Sequence, residues 1–428
     1  MEYRIPFDHH ELTFKLPDDQ EVYCLSPRAA EAPGLEFSRD EEMKRVREAL
    51  ESPLGSPPLS RLAREARRAV IITSDHTRPL PSRLTLPLLL EAMRRENPEL
   101  SLEVLVATGL HEKPDSRVIR EKFGDLPDRI PIYWHDARDR ENLVSLGTLP
   151  SGGPLLVNRR ILETDLLVSE GFIEPHFFAG YSGGRKSVLP GVAGQESIRW
   201  NHSYPMIAHP EARAGSLADN PLHRDMVAAA RAAGLRFCLQ VILDGSHRVI
   251  RAYGGDPFLS HEEGCREAEA LFGVPVRKGR LVITSAGGYP LDQNLYQLVK
   301  AIDTASRCCE PGGTIVAAAG CRAGIGGEDF CRQLGESADP GRTLARFAAL
   351  GPHNTEYDQW QTQVLLRVRA RHRIVVVTGG ISADTLKTMH LEGSEDLQQA
   401  VDAALTATGG PVVVIPDGIG TLITGRKD

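Results

Sequence analysis

AVIITSDHTRPLPSRLTLPLLLEAMRRENPELSLEVLVAT, residues Ala69 to Thr108, decides the fold. It opens on a short β-branched run, AVIIT, and passes through a polar turn, SDHTRP (Ser74 to Pro79). A segment with helical apolar spacing follows, SRLTLPLLLEAMRREN from Ser82, and the stretch ends in a second apolar run, LEVLVAT from Leu102. Apolar runs of this length without alternation belong to strands buried on both faces, as in parallel sheets. Strand, helix and strand in succession make a βαβ unit.

The same pattern runs outward along the chain. Further strand-like runs are IPIYW from Ile130, DLLVSE from Asp165, FCLQVIL from Phe237, LVITS from Leu281, TIVAAA from Thr314, IVVVT from Ile374 and VVVIP from Val412. Helical patterns lie between them, such as SHEEGCREAEALFG from Ser260, NLYQLVKAIDTASRCC from Asn294, YDQWQTQVLLRVRARH from Tyr357 and SEDLQQAVDAALTAT from Ser394. Alternation of this kind predicts an α/β protein with mostly parallel sheets flanked by helices. A length of 428 residues suits two domains. The boundary is read near Pro275 to Lys278, where a helix ends in the Gly273 turn and a fresh series begins. This gives residues 1–274 as the first domain and 275–428 as the second, with the tail packing back on the first and the active site in the cleft between them. The first 50 residues read as a lead-in hairpin followed by the helix DEEMKRVREAL.

Composition removes several classes of function. Lys+Arg 50 against Asp+Glu 57 leaves a net charge of −7 with no basic block, so neither nucleic acid nor an anionic membrane is an expected partner. No stretch of 18 apolar residues is present, and MEYRIPFDHHELTFKLPDD carries acidic residues without the apolar core of a leader peptide. Seven cysteines, without C-x-x-C spacing, fit a reduced compartment, and the chain is expected in the cytoplasm. Cys308 and Cys309 read as small buried hydrophobes late in a helix.

In open α/β sheets ligands gather beyond the carboxyl ends of the strands. The residues just after the strand runs are SDHTRP, GLHEKP (Gly109 to Pro114), GFIEPHFFAGYSGGRKSVLPG (Gly171 to Gly191) and AGGYPLDQNLYQLVK (Ala286 to Lys300). Such loops, polar, ionisable or rich in glycine, are most economically read as one shared site. Gly180 to Ser187, with Gly183 and Gly184 at its centre, offers successive backbone N–H groups for an anion nest, to which Arg185 and Lys186 are expected to add positive charge. It is not a Walker A loop, because Arg185 stands where that motif needs Gly. His111, His176 and His202 lie in these segments without HExxH spacing or cysteine partners, which speaks against a structural zinc site. Asp75 and Arg78 read either as a helix cap with a salt bridge or as recognition of phosphate, ribose or carboxylate. Gln297 and Lys300 share one helix face and could reach an anionic substrate, or could be solvated. From the residues alone, the expectation is an α/β protein with an anion-binding Gly loop, convergent histidines and basic residues, read as an enzyme acting on a small anionic substrate.

Taken together, SDHTRP, TGLHEKP, EPHFFAGYSGGRKSVLPGVAG, the Asn201-His202 pair, NPLHRDM and YPLDQNLYQLVK resemble the nickel-dependent lactate racemase family, from about Thr73 to beyond Trp360. The resemblance implies a racemase or epimerase of small 2-hydroxy acids that carries a nickel pincer nucleotide, a pyridinium-3,5-bisthiocarboxylic acid mononucleotide made by dedicated biosynthetic enzymes. It implies that Lys186 holds this cofactor, covalently or not, that His202 is the protein ligand to nickel, and that His111 and His176 are the acid/base pair. Arg78, Gln297 and Lys300 then resemble substrate-orienting groups, with Tyr296 and Trp360 beside them, and Asp75, Gly183, Gly184 and Arg185 fall to the cofactor. The other readings of these residues are a divalent-metal hydrolase built on the same histidines, and a non-catalytic carrier of the nickel cofactor.

Overall fold

The computed structural model describes residues 1–27 and 38–425, and these form two compact units. One holds residues 38–201 and 210–270; the other holds 1–27, 202–209 and 271–425. A single cut at 274/275 therefore does not describe the path of the chain. Residues 1–27 join the C-terminal unit because Val22–Cys24 adds a parallel strand beside Val412–Ile415. Residues 202–209 join it because the helix Tyr204–Ala208 lies against Gln359–Arg369, where Gln363 Nε2 donates to Tyr204 O and Arg367 Nη1 to Ile207 O. The tail stays within its own unit, Leu422–Thr424 pairing with Gly273–Pro275.

The first unit is a six-stranded sheet in the order Val249–Gly255, Leu235–Leu243, Leu166–Phe172, Arg68–Ser74, Ser101–Ala107, Ile132–Trp134. All neighbours are parallel except the hairpin of the first two. In chain order this is the doubly wound arrangement, and its direction reverses between Arg68–Ser74 and Leu166–Phe172. Val70, Ile71 and Ile72 are all fully buried, which is why this strand reads as an unbroken apolar run. Ile71, Val104, Val168, Phe237 and Leu239 meet Leu86 and Leu89 of the helix Ser82–Arg94 in one core, and each such side chain contributes about 1.5–3 kcal/mol by leaving water.

The second unit is also six-stranded, in the order Glu392–Ser394, Arg373–Val377, Cys309–Ala318, Gly279–Ser285, Val412–Ile415, Val22–Cys24, and every neighbour is parallel. Its reversal falls between Gly279–Ser285 and Val412–Ile415. Cys308 and Cys309 are buried as expected, but the helix ends at Ser306 and Cys309 begins a strand. Among the described residues no helix is long and apolar enough to cross a membrane.

Candidate active site

Backbone groups diverge where the strand order reverses, and the loops leaving those strands meet over a crevice. In the first unit the loops in question follow Ser74 and Phe172. The first supplies Asp75, whose side chain is 2 % exposed although it is ionisable. Its Oδ2 lies 2.7 Å from Nδ1 of His111, and its Oδ1 accepts from Thr77 N at 3.0 Å and Thr77 Oγ1 at 2.6 Å. Burial pushes this carboxyl up, but the hydrogen bond and charge of His111, with Arg78 and Thr77, outweigh it and hold Asp75 far below the usual carboxylate range. An ionised carboxylate can only accept, so Nδ1 of His111 carries its proton toward Asp75. Nε2 is left to take or give another. The His111 side chain is 47 % exposed, so this atom belongs to a ring open to a ligand.

His176 is held differently. Its short strand, Pro175–His176, pairs with Gly180–Tyr181, and the turn between them brings the N–H of Ala179 to within 3.3 Å of its Nδ1. Phe177 stacks on the ring and Phe178 meets it edge-on. The backbone N–H groups of Ala179 and Phe178 approach Nδ1 at 3.3 Å and 3.5 Å, long contacts that leave the tautomer of the ring unfixed.

The Gly-rich run turns sharply after His176. Gly183 has φ +78°, and a Cβ there would come within 2.4 Å of Gln240 Oε1, so only glycine fits. The expected nest is partly spent on the protein itself. Ser182 N–H donates to Glu174 O, Gly184 N–H to Gln240 Oε1, and Lys186 N–H to Gly183 O. Arg185 turns inward and is 1 % exposed, so its side chain does not add charge at the loop surface as the sequence predicts. Lys186 is half-buried, its Nζ 5.9 Å from the centre of the Phe178 ring.

Two further side chains were not legible in the sequence. Lys122, on the helix that follows the His111 loop, donates from Nζ to Arg78 O at 2.8 Å and Leu80 O at 2.7 Å. Burial pushes its ammonium down to about 8, against the pull of Glu170 and Asp75. Glu170, in the strand at the reversal, is buried; burial pushes its carboxyl up, and Thr73 Oγ1 donates to its Oε1. Lys122 stands on an ordinary helical surface pattern, and Glu170 reads as the end of a strand run, so spacing marks neither.

The second unit gathers the remaining candidates. Asn294 caps the helix Leu295–Ser306 by accepting from Gln297 N, and Tyr296, Gln297 and Lys300 are half-buried along its first turns. Trp360 Nε1 donates to Tyr296 Oη at 3.0 Å, and Gln361 Nε2 donates to Tyr296 O. The buried His202 ring meets Trp360 edge-on, with 5.3 Å between ring centres. The structure therefore brings Asp75 to His111, with Lys122 beneath Arg78, and brings His202 to Trp360 and Tyr296.

Comparison with known proteins gives a consistent result. Residues 7–215 match the family model "Lactate racemase N-terminal domain" and residues 274–423 match "Lactate racemase C-terminal domain". The chain is 42 % identical to a lactate racemase of Thermoanaerobacterium thermosaccharolyticum over 422 residues, covering 98 % of both chains. It is 39 % identical to one of Lactiplantibacillus plantarum over 422 residues, covering 98 % of this chain and 99 % of the other. The structure of the lactate racemase apoprotein from T. thermosaccharolyticum superposes with a TM-score of 0.94 at 41 % identity, over 99 % of this chain and 100 % of that one. A Thermotoga maritima protein shares the fold at a TM-score of 0.66 and 17 % identity, over 91 % of this chain and 99 % of that one.

Proposed function

The chain belongs to the lactate racemase family and is a racemase, and from that premise we propose that it inverts a small 2-hydroxy acid with His111 and His176 as acid and base. The observation that carries this reading is the Asp75–His111 hydrogen bond. A buried, ionised carboxylate fixes the tautomer of the ring and stabilises the imidazolium that forms when Nε2 takes a proton, which is what a general base needs.

The donor set suits the nickel pincer nucleotide that the resemblance implies. Nickel held by soft sulfur donors would also accept an imidazole, and the buried ring of His202 offers one. His202 is proposed as that ligand, with Trp360 bracing its ring. Lys186 is proposed to hold the cofactor, by a covalent tether or by pairing with its anionic arm, with Gly183 and Gly184 giving close approach. Asp75 is bonded to His111, and we assign it to the base rather than to the cofactor. When bound, the cofactor supplies an acceptor that takes the α-hydrogen as hydride and returns it.

The chain's own residues do the remainder. His111 Nε2 takes the hydroxyl proton of one enantiomer while the α-carbon flattens to a 2-keto acid. His176 serves the hydroxyl on the other hand, because each enantiomer presents that group to a different side. Arg78 and Lys300 are proposed to clamp the carboxylate so that the ketone stays bound between the two half-reactions, with Gln297 and Tyr296 orienting it. The test is co-expression with the cofactor-making enzymes followed by a screen of chiral 2-hydroxy acids. At least one pure enantiomer should decay to a racemate; a cofactor-loaded protein that leaves lactate, malate, longer hydroxy acids and sugar acids optically pure would refute the reading.

A further inference from the structure

Arg185 lies in the Gly-rich run, and the proposed chemistry leaves it without a task. Its guanidinium is buried, yet every described partner is uncharged. Nη2 donates to Ala179 O at 2.7 Å. Nη1 lies 2.7 Å from Tyr181 O, 3.3 Å from Ser182 O, 3.2 Å from Gly183 O and 2.8 Å from Nε2 of His261. Nε donates to Nδ1 of His223 at 3.1 Å. A charge buried without a counter-charge is expensive, and persists only where oriented dipoles replace the water it has lost.

Those dipoles are the loop itself. The N–H groups of a guanidinium lie in one plane in a fixed fork, so carbonyls that satisfy it must converge on that plane. Four of the five successive carbonyls from Ala179 to Gly183 do so. In a planar trans peptide the next N–H points the opposite way. The N–H groups of Ser182 and Gly184 accordingly find Glu174 O and Gln240 Oε1 on the other side of the run. The loop is thus pinned from within by one side chain and from without by two acceptors. Lys186, the next residue in the 3₁₀ turn Gly184–Ser187, takes its direction from that turn.

We infer that Arg185 is a positioning residue, the template on which carbonyls 179–183 fold, and that through this turn it sets Lys186. The consequence for the cofactor rests on the role proposed for Lys186. The template itself does not, and the test uses the apoprotein, so that failure of the racemase reading leaves the outcome unaffected.

Wild type, Arg185→Met and Arg185→Lys are compared by hydrogen exchange and by acylation of Lys186 with an N-hydroxysuccinimide ester, measured against the exposed Lys44 of the same unit. In both variants the amides of residues 180–187 should exchange about tenfold faster or more, while the strands Arg68–Ser74 and Leu235–Leu243 keep their protection. Lys186 should be acylated several-fold faster relative to Lys44. Lysine keeps the charge and most of the bulk but lacks the fork, so wild-type protection in Arg185→Lys would overturn the template argument. Unchanged exchange and acylation in Arg185→Met would overturn any positioning role. Failure of both variants to fold, or loss of protection spreading through the sheet, would overturn the claim that Arg185 acts on the loop.

Discussion

Replacing Asp75 by Asn keeps the size of the side chain and removes its charge, so it isolates what the carboxylate does for His111. The wild-type contact is a 2.7 Å hydrogen bond from a ring N–H to an ionised acceptor that is itself buried and held by Thr77. Hydrogen bonds to charged groups contribute about 1.5–3 kcal/mol. That interaction matters most once the ring has become an imidazolium, so its loss raises the barrier to proton removal by about the same amount, roughly 10- to 100-fold in rate. The Asp75 carboxylate bonds His111, and backbone N–H groups approach Nδ1 of His176, so the penalty should fall on the half-reaction that His111 serves. The assay is single-turnover: each pure enantiomer is mixed with the cofactor-loaded variant and the cofactor absorbance is followed. One enantiomer should slow by that factor and the other remain near wild type, while steady-state racemisation falls in both directions because they share every step. Equal slowing of both enantiomers, or loss of the bound chromophore, would show that Asp75 serves the cofactor and refute the assignment to His111.

Three other outcomes are expected. Burial, with the charge of Arg185, pushes His223 down to about 3 and His261 well below its ordinary range, so both are neutral in the fold while their unfolded forms take up protons below about pH 6.5. Stability is therefore complete above that pH and should decline by roughly 1 kcal/mol per pH unit per histidine as pH falls; denaturant titrations of His223→Gln should show a shallower slope than wild type, and identical slopes would count against the linkage. Lys122→Met leaves Arg78 O and Leu80 O without their donor and should lower kcat/KM by about tenfold, chiefly through KM, since an unmet hydrogen bond loosens the carboxylate clamp; unchanged KM would dissociate Lys122 from the clamp. His202→Ala should purify folded but without nickel, and stoichiometric nickel in that variant would remove His202 from the ligand set.

The strands were legible because parallel sheets bury both faces, so Val70, Ile71 and Ile72 leave no polar alternation to hide the element. Which strand lies beside which was not, because a three-residue edge such as Val22–Cys24 carries too little pattern to show that it pairs with Val412–Ile415 near the other end of the chain. The site divides in the same way. Residues after strand ends could be picked out as candidates, since the carboxyl end of the sheet is where loops converge. Their partners could not. Asp75 and His111 are 36 residues apart, and only the adjacency of Arg68–Ser74 and Ser101–Ala107 makes them a pair. Arg185 was misread for a related reason: in a tight turn the direction of a side chain depends on the dihedrals of the glycines before it, and a one-letter sequence does not carry those.

Those same neighbours explain why two carboxyls so close along the reversal behave oppositely. Asp75 and Glu170 are both buried, but Asp75 receives an imidazole N–H and two donors from Thr77, while burial dominates at Glu170 and favours its protonated form. The ionised group therefore sits beside His111, and the carboxyl that burial pushes toward its protonated form lies within the strand Leu166–Phe172. Lys122 adds the mechanical part. It and His111 leave one segment, residues 111–122, and grip another, residues 75–80, at three points: the Asp75 carboxylate and the carbonyls of Arg78 and Leu80. Each grip is charged or partly charged, and the Asp75 carboxylate on one side is buried, so none is readily traded for water. In the proposed reaction the base His111 and the Arg78 arm of the carboxylate clamp are then tied together within one unit, which suits inversion through a planar ketone: that arm has to hold its registry with the base for as long as the intermediate has no stereochemistry of its own.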